Sequence, residues 1–235
     1  MKRHSLNPSP SGDGSASVEY RHRDIARIAL DAAGRKYEVA YAGGGALQIL
    51  NVSARQTLDV DLFVRKARNV ARAADVIANA LEQAGYTVDA VDTDPDGRLE
   101  LTCREFEVYP PGGEDPVQVQ VAFFPFTGTV TKDVGPVVSL DYLASRKTIA
   151  ALERHQVRDY IDIASLADAG YKIPQLLDMA FAEDPGLGAE DVGDAGVHLD
   201  QISDERIARE LPPGKTPEWV RKVFAEWPRY PVHAD

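Results

Sequence analysis

Apolar side chains in the amino-terminal stretch recur at helical spacing. Ile25, Ile28, Ala29, Ala32 and Ala33 share one face, and Gly34 suits the end of a helix that starts near Val18. A short strand is predicted over residues 37–42. Gly43, Gly44 and Gly45 then lead into a short apolar helix at 46–50, after which residues 58–64 alternate apolar and polar with the period of a strand. Val70, Ala73, Ala74, Ile77, Leu81 and Ala84 mark an amphipathic helix. Further strands are predicted over 86–91, 98–108 and 117–124, separated by turn-rich stretches at 92–97 and 110–116. From Ser139, a candidate N-cap, the pattern turns helical over 140–154, 159–169 and 174–182, with two short helices at 204–211 and 217–227. Residues 186–196, acidic and glycine-rich, read as a linker. The fold class is therefore α+β: a disordered tail over 1–17, a mixed β-sheet domain flanked by helices over 18–138, and a helical C-terminal domain over 139–235.

Composition narrows the setting. With 235 residues, 44% hydrophobic and 27% charged, the chain can bury a real core. No stretch approaches the roughly 18 apolar residues of a membrane span, and the amino terminus lacks the apolar run of a secretory leader. Cys103 is the one cysteine, which excludes an intramolecular disulfide and a thiolate zinc site. A cytoplasmic protein without membrane contact is the expectation. The net charge of -11 gives no overall attraction to nucleic acid. Its distribution changes that picture, because residues 82–115 and 178–210 each hold ten acids against two arginines. Basic residues gather elsewhere, among them Arg55, Arg146, Lys147, Arg154 and Arg158.

Asp59 and Asp61 lie two apart on a predicted strand, so both leave one face with Cα atoms about 6 to 7 Å apart. Paired carboxylates on a rigid strand suit magnesium that also takes phosphate oxygens; the plain alternative is a solvated strand face. Phe63 on the same face argues against simple exposure. Gly43 and Gly44 stand between a strand and a helix, where backbone amides can approach an anion, although such clusters are also ordinary turns. Lys147 falls on the apolar stripe of its helix, between Leu140, Leu143, Ala144 and Ala151, and needs an anionic partner there. That partner is a ligand phosphate; the plain alternatives are a snorkelling side chain or a structural ion pair with Asp159 or Asp162. Asp159 also suits a helix cap. The five histidines lack metal-ligand spacing and no serine-hydrolase elbow is present, so zinc and serine hydrolases drop out.

Taken in order, Gly43-Gly44-Gly45-Ala46-Leu47, Arg55-x-Thr57-x-Asp59-x-Asp61-Leu62-Phe63, Ser139-Leu140-x-Tyr142-Leu143, Lys147 and Arg158-Asp159-Tyr160-x-Asp162-Ile163 carry a resemblance. The sequence resembles the AbiEii/AbiGii-type nucleotidyltransferase toxins of the DNA polymerase β-like superfamily over roughly residues 37–170. The resemblance implies transfer of a nucleoside monophosphate from a nucleoside triphosphate, with magnesium, to an acceptor hydroxyl. In some relatives that acceptor is a tRNA 3′ end, and an antitoxin protein is the expected partner. By position, Gly43 and Gly44 would cradle triphosphate, Asp59 and Asp61 would bind the metal, and Lys147 would neutralise phosphate charge. Asp159 or Asp162 would complete the site, and Arg55 and Thr57 would brace the loop or touch the nucleotide. One departure stands out: where the superfamily places a third carboxylate, this sequence offers Gln118 and Gln120. A weakened relative that binds nucleotide or a partner protein without turnover is therefore the alternative.

Overall fold

In the computed structural model, which describes residues 14–91, 102–113 and 115–229, the first part of the chain alternates helices with strands. Helix α1 (Gly14–Tyr37), strand β1 (Val39–Tyr41), helix α2 (Gly43–Ile49), strand β2 (Asp59–Val64) and helix α3 (Val70–Gln83) come first. Strands β3 (Thr87–Val91), β4 (Cys103–Tyr109), β5 (Val117–Phe123), β6 (Thr129–Lys132) and β7 (Gly135–Val138) follow. The remainder is helical: α4 (Leu140–Arg154), α5 (Val157–Asp168), α6 (Ile173–Glu183), α7 (Ala189–Gln201), α8 (Asp204–Ala208) and α9 (Pro217–Val223).

The strands form one mixed sheet in the order β3-β4-β5-β2-β1-β7-β6. Strand β2 is central, parallel to β5 on one side and antiparallel to β1 on the other. Its alternation sorts the two faces: Val60, Leu62 and Val64 are buried with Val119 and Val121 of β5, while Asp59, Asp61, Gln118 and Gln120 leave the opposite face. Helices α1 and α3 pack on the apolar face, α3 through Val70, Ala73, Ala74, Ile77 and Leu81. Burying Ile77 or Leu81 contributes about 1.5–3 kcal/mol each. The polar face is left for the site.

Three expectations need correction. Helix α1 begins at Gly14, inside the stretch 1–17 expected to be a tail, and residues 1–13 lie outside the described residues. The β6–β7 hairpin was not predicted, because β6 is a sheet edge exposed along its whole length and carries no alternation. Residues 186–196 are no linker: most of them form α7, whose Gly188 N–H is capped by Asp191 at 2.7 Å. Its Gly196 is a site of close approach, where a Cβ would stand 2.5 Å from the Pro228 carbonyl and 2.9 Å from Trp227. Ser139 occupies the N-cap of α4 as its place in the sequence predicts, without a side-chain capping bond. The predicted turn at 92–97 and the start of the strand expected at 98 lie outside the described residues.

Candidate functional site

The polar face of β2 and one face of α4 enclose a cleft lined by Gly43, Asp61, Gln120, Lys147 and Arg154, with an aromatic wall beside them. Strand alternation turns Asp61 into it, and the α4 stripe Leu143, Lys147, Ala150 and Arg154 lines the other side at helical spacing. Phe63 stacks on Phe124 with ring centroids 4.1 Å apart, and the Arg146 guanidinium lies over Phe124 at 4.8 Å.

Asp61 makes no side-chain hydrogen bond among the described residues. The residue is half-buried, and its carboxyl lies deep enough in the cleft that burial dominates its titration. Burial, then repulsion from Asp59, push that carboxyl up to about 6, while Lys147, Arg158 and Arg154 pull the other way. Gly43 stands against it with φ +63°, and a Cβ there would overlap Asp61 Oδ2. Only glycine brings the β1–α2 turn this close.

Asp59 is held differently. Its Oδ1 accepts from Thr57 Oγ1 at 2.9 Å and from the Leu58 N–H at 3.2 Å. His22 of α1 is buried, and burial pushes its imidazole pKa down against the attraction of Asp59. Thr57 is thus a brace. So is Arg55, which donates to Asp162 from Nε at 3.1 Å and Nη2 at 3.3 Å and to the Gln56 carbonyl at 2.9 Å. A Cβ on Gly44 would stand 3.0 Å from Arg55 Nη2 and 3.3 Å from Thr57 Oγ1, so this second glycine keeps the braced loop close to α2.

Asp162 is fully buried and also accepts from Lys147 Nζ at 2.8 Å. Burial alone would raise its carboxyl, but Lys147 and Arg55 outweigh it and hold Asp162 below the usual carboxylate range. Of the two partners left open for Lys147, Asp162 is the one in contact. Asp159 does not cap α5, whose N-cap is Gln156. It is fully buried and accepts from Arg154 Nη2 at 2.7 Å, while Arg154 itself remains 45% exposed in the cleft. Asp159 Oδ2 is buried without a hydrogen-bond partner among the described residues.

The residues expected to form one site therefore fall into a layered arrangement. Asp61, Gly43 and Lys147 face the cleft together; Asp162 and Arg55 stand behind Lys147, and Asp159 behind Arg154. Gln120 is in register with Asp61 and lines the cleft, whereas Gln118 is in register with Asp59 and exposed. Arg146, Arg154 and Phe124 were not expected, although the helical spacing of Arg154 from Lys147 was visible in the sequence. Among the described residues no group of three or more His, Cys, Asp or Glu side chains gathers as a metal-ligand set. Asp61, without a donor, faces the cleft, whereas Asp59, two residues earlier on β2, lines a neighbouring cavity with Arg55, Arg158 and Glu210. No helix among the described residues is long and apolar enough to cross a membrane.

The sequence profile of the family described as nucleotidyl transferase AbiEii toxin, type IV toxin–antitoxin system, matches residues 29–221. Among solved structures, the chain is similar to MenT4, a nucleotidyltransferase toxin of Mycobacterium tuberculosis, with TM-score 0.61 and 17% identity over 91% of this chain and 85% of that one. It is also similar to JHP933 of Helicobacter pylori, with TM-score 0.60 and 13% identity over 91% and 90% of the two chains. No curated protein matches the sequence.

Proposed function

The chain belongs to the AbiEii nucleotidyltransferase toxin family, and from that premise we propose that it transfers a nucleoside monophosphate from a nucleoside triphosphate to an acceptor hydroxyl at an RNA end, tRNA included. The observation that carries this reading is Asp61 facing Lys147 across one cleft, the carboxyl without a donor and the ammonium beside a buried anion. Asp61 fits a divalent cation: a carboxylate raised to about 6 by burial and by Asp59 is relieved when a cation binds. Asp59 is the second ligand on this reading, after release from Thr57. Magnesium, when bound, screens the phosphate charges and polarises the phosphoryl oxygens.

The cleft's own residues do the rest. Lys147, Arg154 and Arg146 present cations to the triphosphate and to the pyrophosphate that leaves. The acceptor oxygen forms a bond to the α-phosphorus as the α–β phosphoanhydride bond breaks; pyrophosphate takes the bonding pair and the hydroxyl proton passes to water. Asp162 is a poor base, since two cations hold it ionised well below neutral pH. Its part is to anchor Lys147 and Arg55, as Asp159 anchors Arg154. The stacked Phe63 and Phe124, with Arg146 over Phe124, wall one side of the cleft. An antitoxin is the protein partner in this reading.

Gln120 beside Asp61 favours a second reading, a nucleotide-binding relative without turnover. Incubation with labelled nucleoside triphosphates, magnesium and total RNA separates the two. Label in RNA is the expected result, while nucleotide binding without label on any acceptor supports the second reading.

A further inference from the structure

Two rows of polar side chains cross the open face of the sheet. In register, Asp61 of β2, Gln120 of β5 and Glu105 of β4 form one row, and Asp59, Gln118 and Glu107 form the next. In each row the glutamine amide donates to the glutamate behind it: Gln120 Nε2 to Glu105 Oε1 at 2.8 Å, and Gln118 Nε2 to Glu107 Oε1 at 3.1 Å. An ionised carboxylate accepts hydrogen bonds and donates none, so Glu105 can hold only the NH2 side of the amide. The carbonyl oxygen of Gln120 is thereby turned away from Glu105, toward the cleft that Gln120 lines with Asp61.

Resting on the transferase reading above, we infer that Glu105 is a positioning residue that fixes the amide of Gln120 so that its oxygen joins Asp61 as a cation ligand. Without Glu105 the amide is free to flip and present its NH2 group, a donor that repels a cation. The neutral amide oxygen is an ordinary magnesium ligand, and Glu105 adds negative charge behind it without touching the ion. The second row lacks this arrangement. Gln118 is exposed and outside the cleft; sharing does not separate the rows, since Glu107 Oε2 accepts from the Tyr109 hydroxyl at 2.8 Å and Glu105 Oε1 from the Cys103 thiol at 4.0 Å.

The test is manganese binding, read by electron paramagnetic resonance, with the full chain alone and with a non-hydrolysable triphosphate. E105Q is expected to weaken Mn2+ binding about tenfold, the low end of what loss of a supporting residue costs, while E107Q leaves it unchanged. Q120E alone sets one carboxylate against another and is expected to gain nothing. The swap E105Q/Q120E restores the hydrogen bond with its direction reversed and places a charged oxygen in the cleft, so its Mn2+ affinity should equal or exceed that of the wild type. Wild-type affinity in a folded E105Q protein, or a swap as weak as E105Q, overturns the inference; should E105Q not fold, the swap carries the test. A wild-type chain that binds no Mn2+ with or without triphosphate overturns the transferase reading instead, and the inference with it.

Discussion

Asp61 lies in the cleft with no donor to stabilise its charge, and burial with Asp59 lifts its carboxyl to about 6 despite Lys147, Arg158 and Arg154. A carboxyl whose pKa is higher in the folded chain than in the unfolded one disfavours folding once ionised. That cost is absent below the ordinary carboxylate range, grows as pH rises toward 6, and is full above 6. Asp61→Asn should therefore raise the stability of the ligand-free protein at pH 8 by on the order of 1–3 kcal/mol. At pH 4 the difference should vanish, and transfer activity should be lost throughout. Thermal unfolding at the two pH values checks the sign. An Asp61→Asn variant less stable than wild type at pH 8 would mean that Asp61 is a structural residue. Asp162 is the opposite case, since its depressed pKa gives stability that disappears only as pH falls below the usual carboxylate range.

The β1–α2 turn shows what an element contributes that no single side chain does. Gly43 takes φ +63° and leaves the room that Asp61 Oδ2 occupies. Gly43→Ala should cost about 1 kcal/mol for the backbone alone. It should also lower kcat about 100-fold by displacing Asp61. Gly85→Ala is the comparator: its φ is +92° and its new Cβ meets only Pro111 at 3.6 Å, so it should lose stability and keep activity. Equal activity losses in the two variants would count against the close approach at Gly43. Elements like these differ in how far the sequence discloses them. Strand β2 was legible because its alternation is local and strict, and Asp59, Asp61 and Phe63 came with it on one face. Helix α7 reads as a linker from its glycines and acids alone, whereas Gly196 meets Trp227 and Pro228, contacts that no local pattern records. Lys147 was legible as an anomaly on an apolar stripe. Its partner was not, because choosing Asp162 over Asp159 depends on how α4 packs against α5.

At the scale of the whole molecule, the buried carboxylate of Asp162 joins parts of the chain that the sequence divides. Arg55 lies 107 positions earlier, in the sheet half, and Lys147 lies on the first helix of the other half. An anion that both halves must neutralise couples their folding, since separating them strands a buried charge. Two reporters can follow the halves independently: the tryptophans Trp219 and Trp227, both in the helical half, and the single, half-buried thiol of Cys103 on β4. Urea unfolding followed by tryptophan fluorescence and by thiol labelling should give coincident midpoints. Asp162→Asn leaves two cations facing a neutral amide and should cost about 3–5 kcal/mol, lowering both midpoints together. If the fluorescence midpoint fell while the midpoint of Cys103 labelling did not, the chain would unfold as two units, at residues 18–138 and 139–235, and Asp162 would bind only its own helical half. Coincident shifts would instead mean that the cleft is built by the interface it occupies, so that a ligand bridging Asp61 and Lys147 stabilises both halves at once.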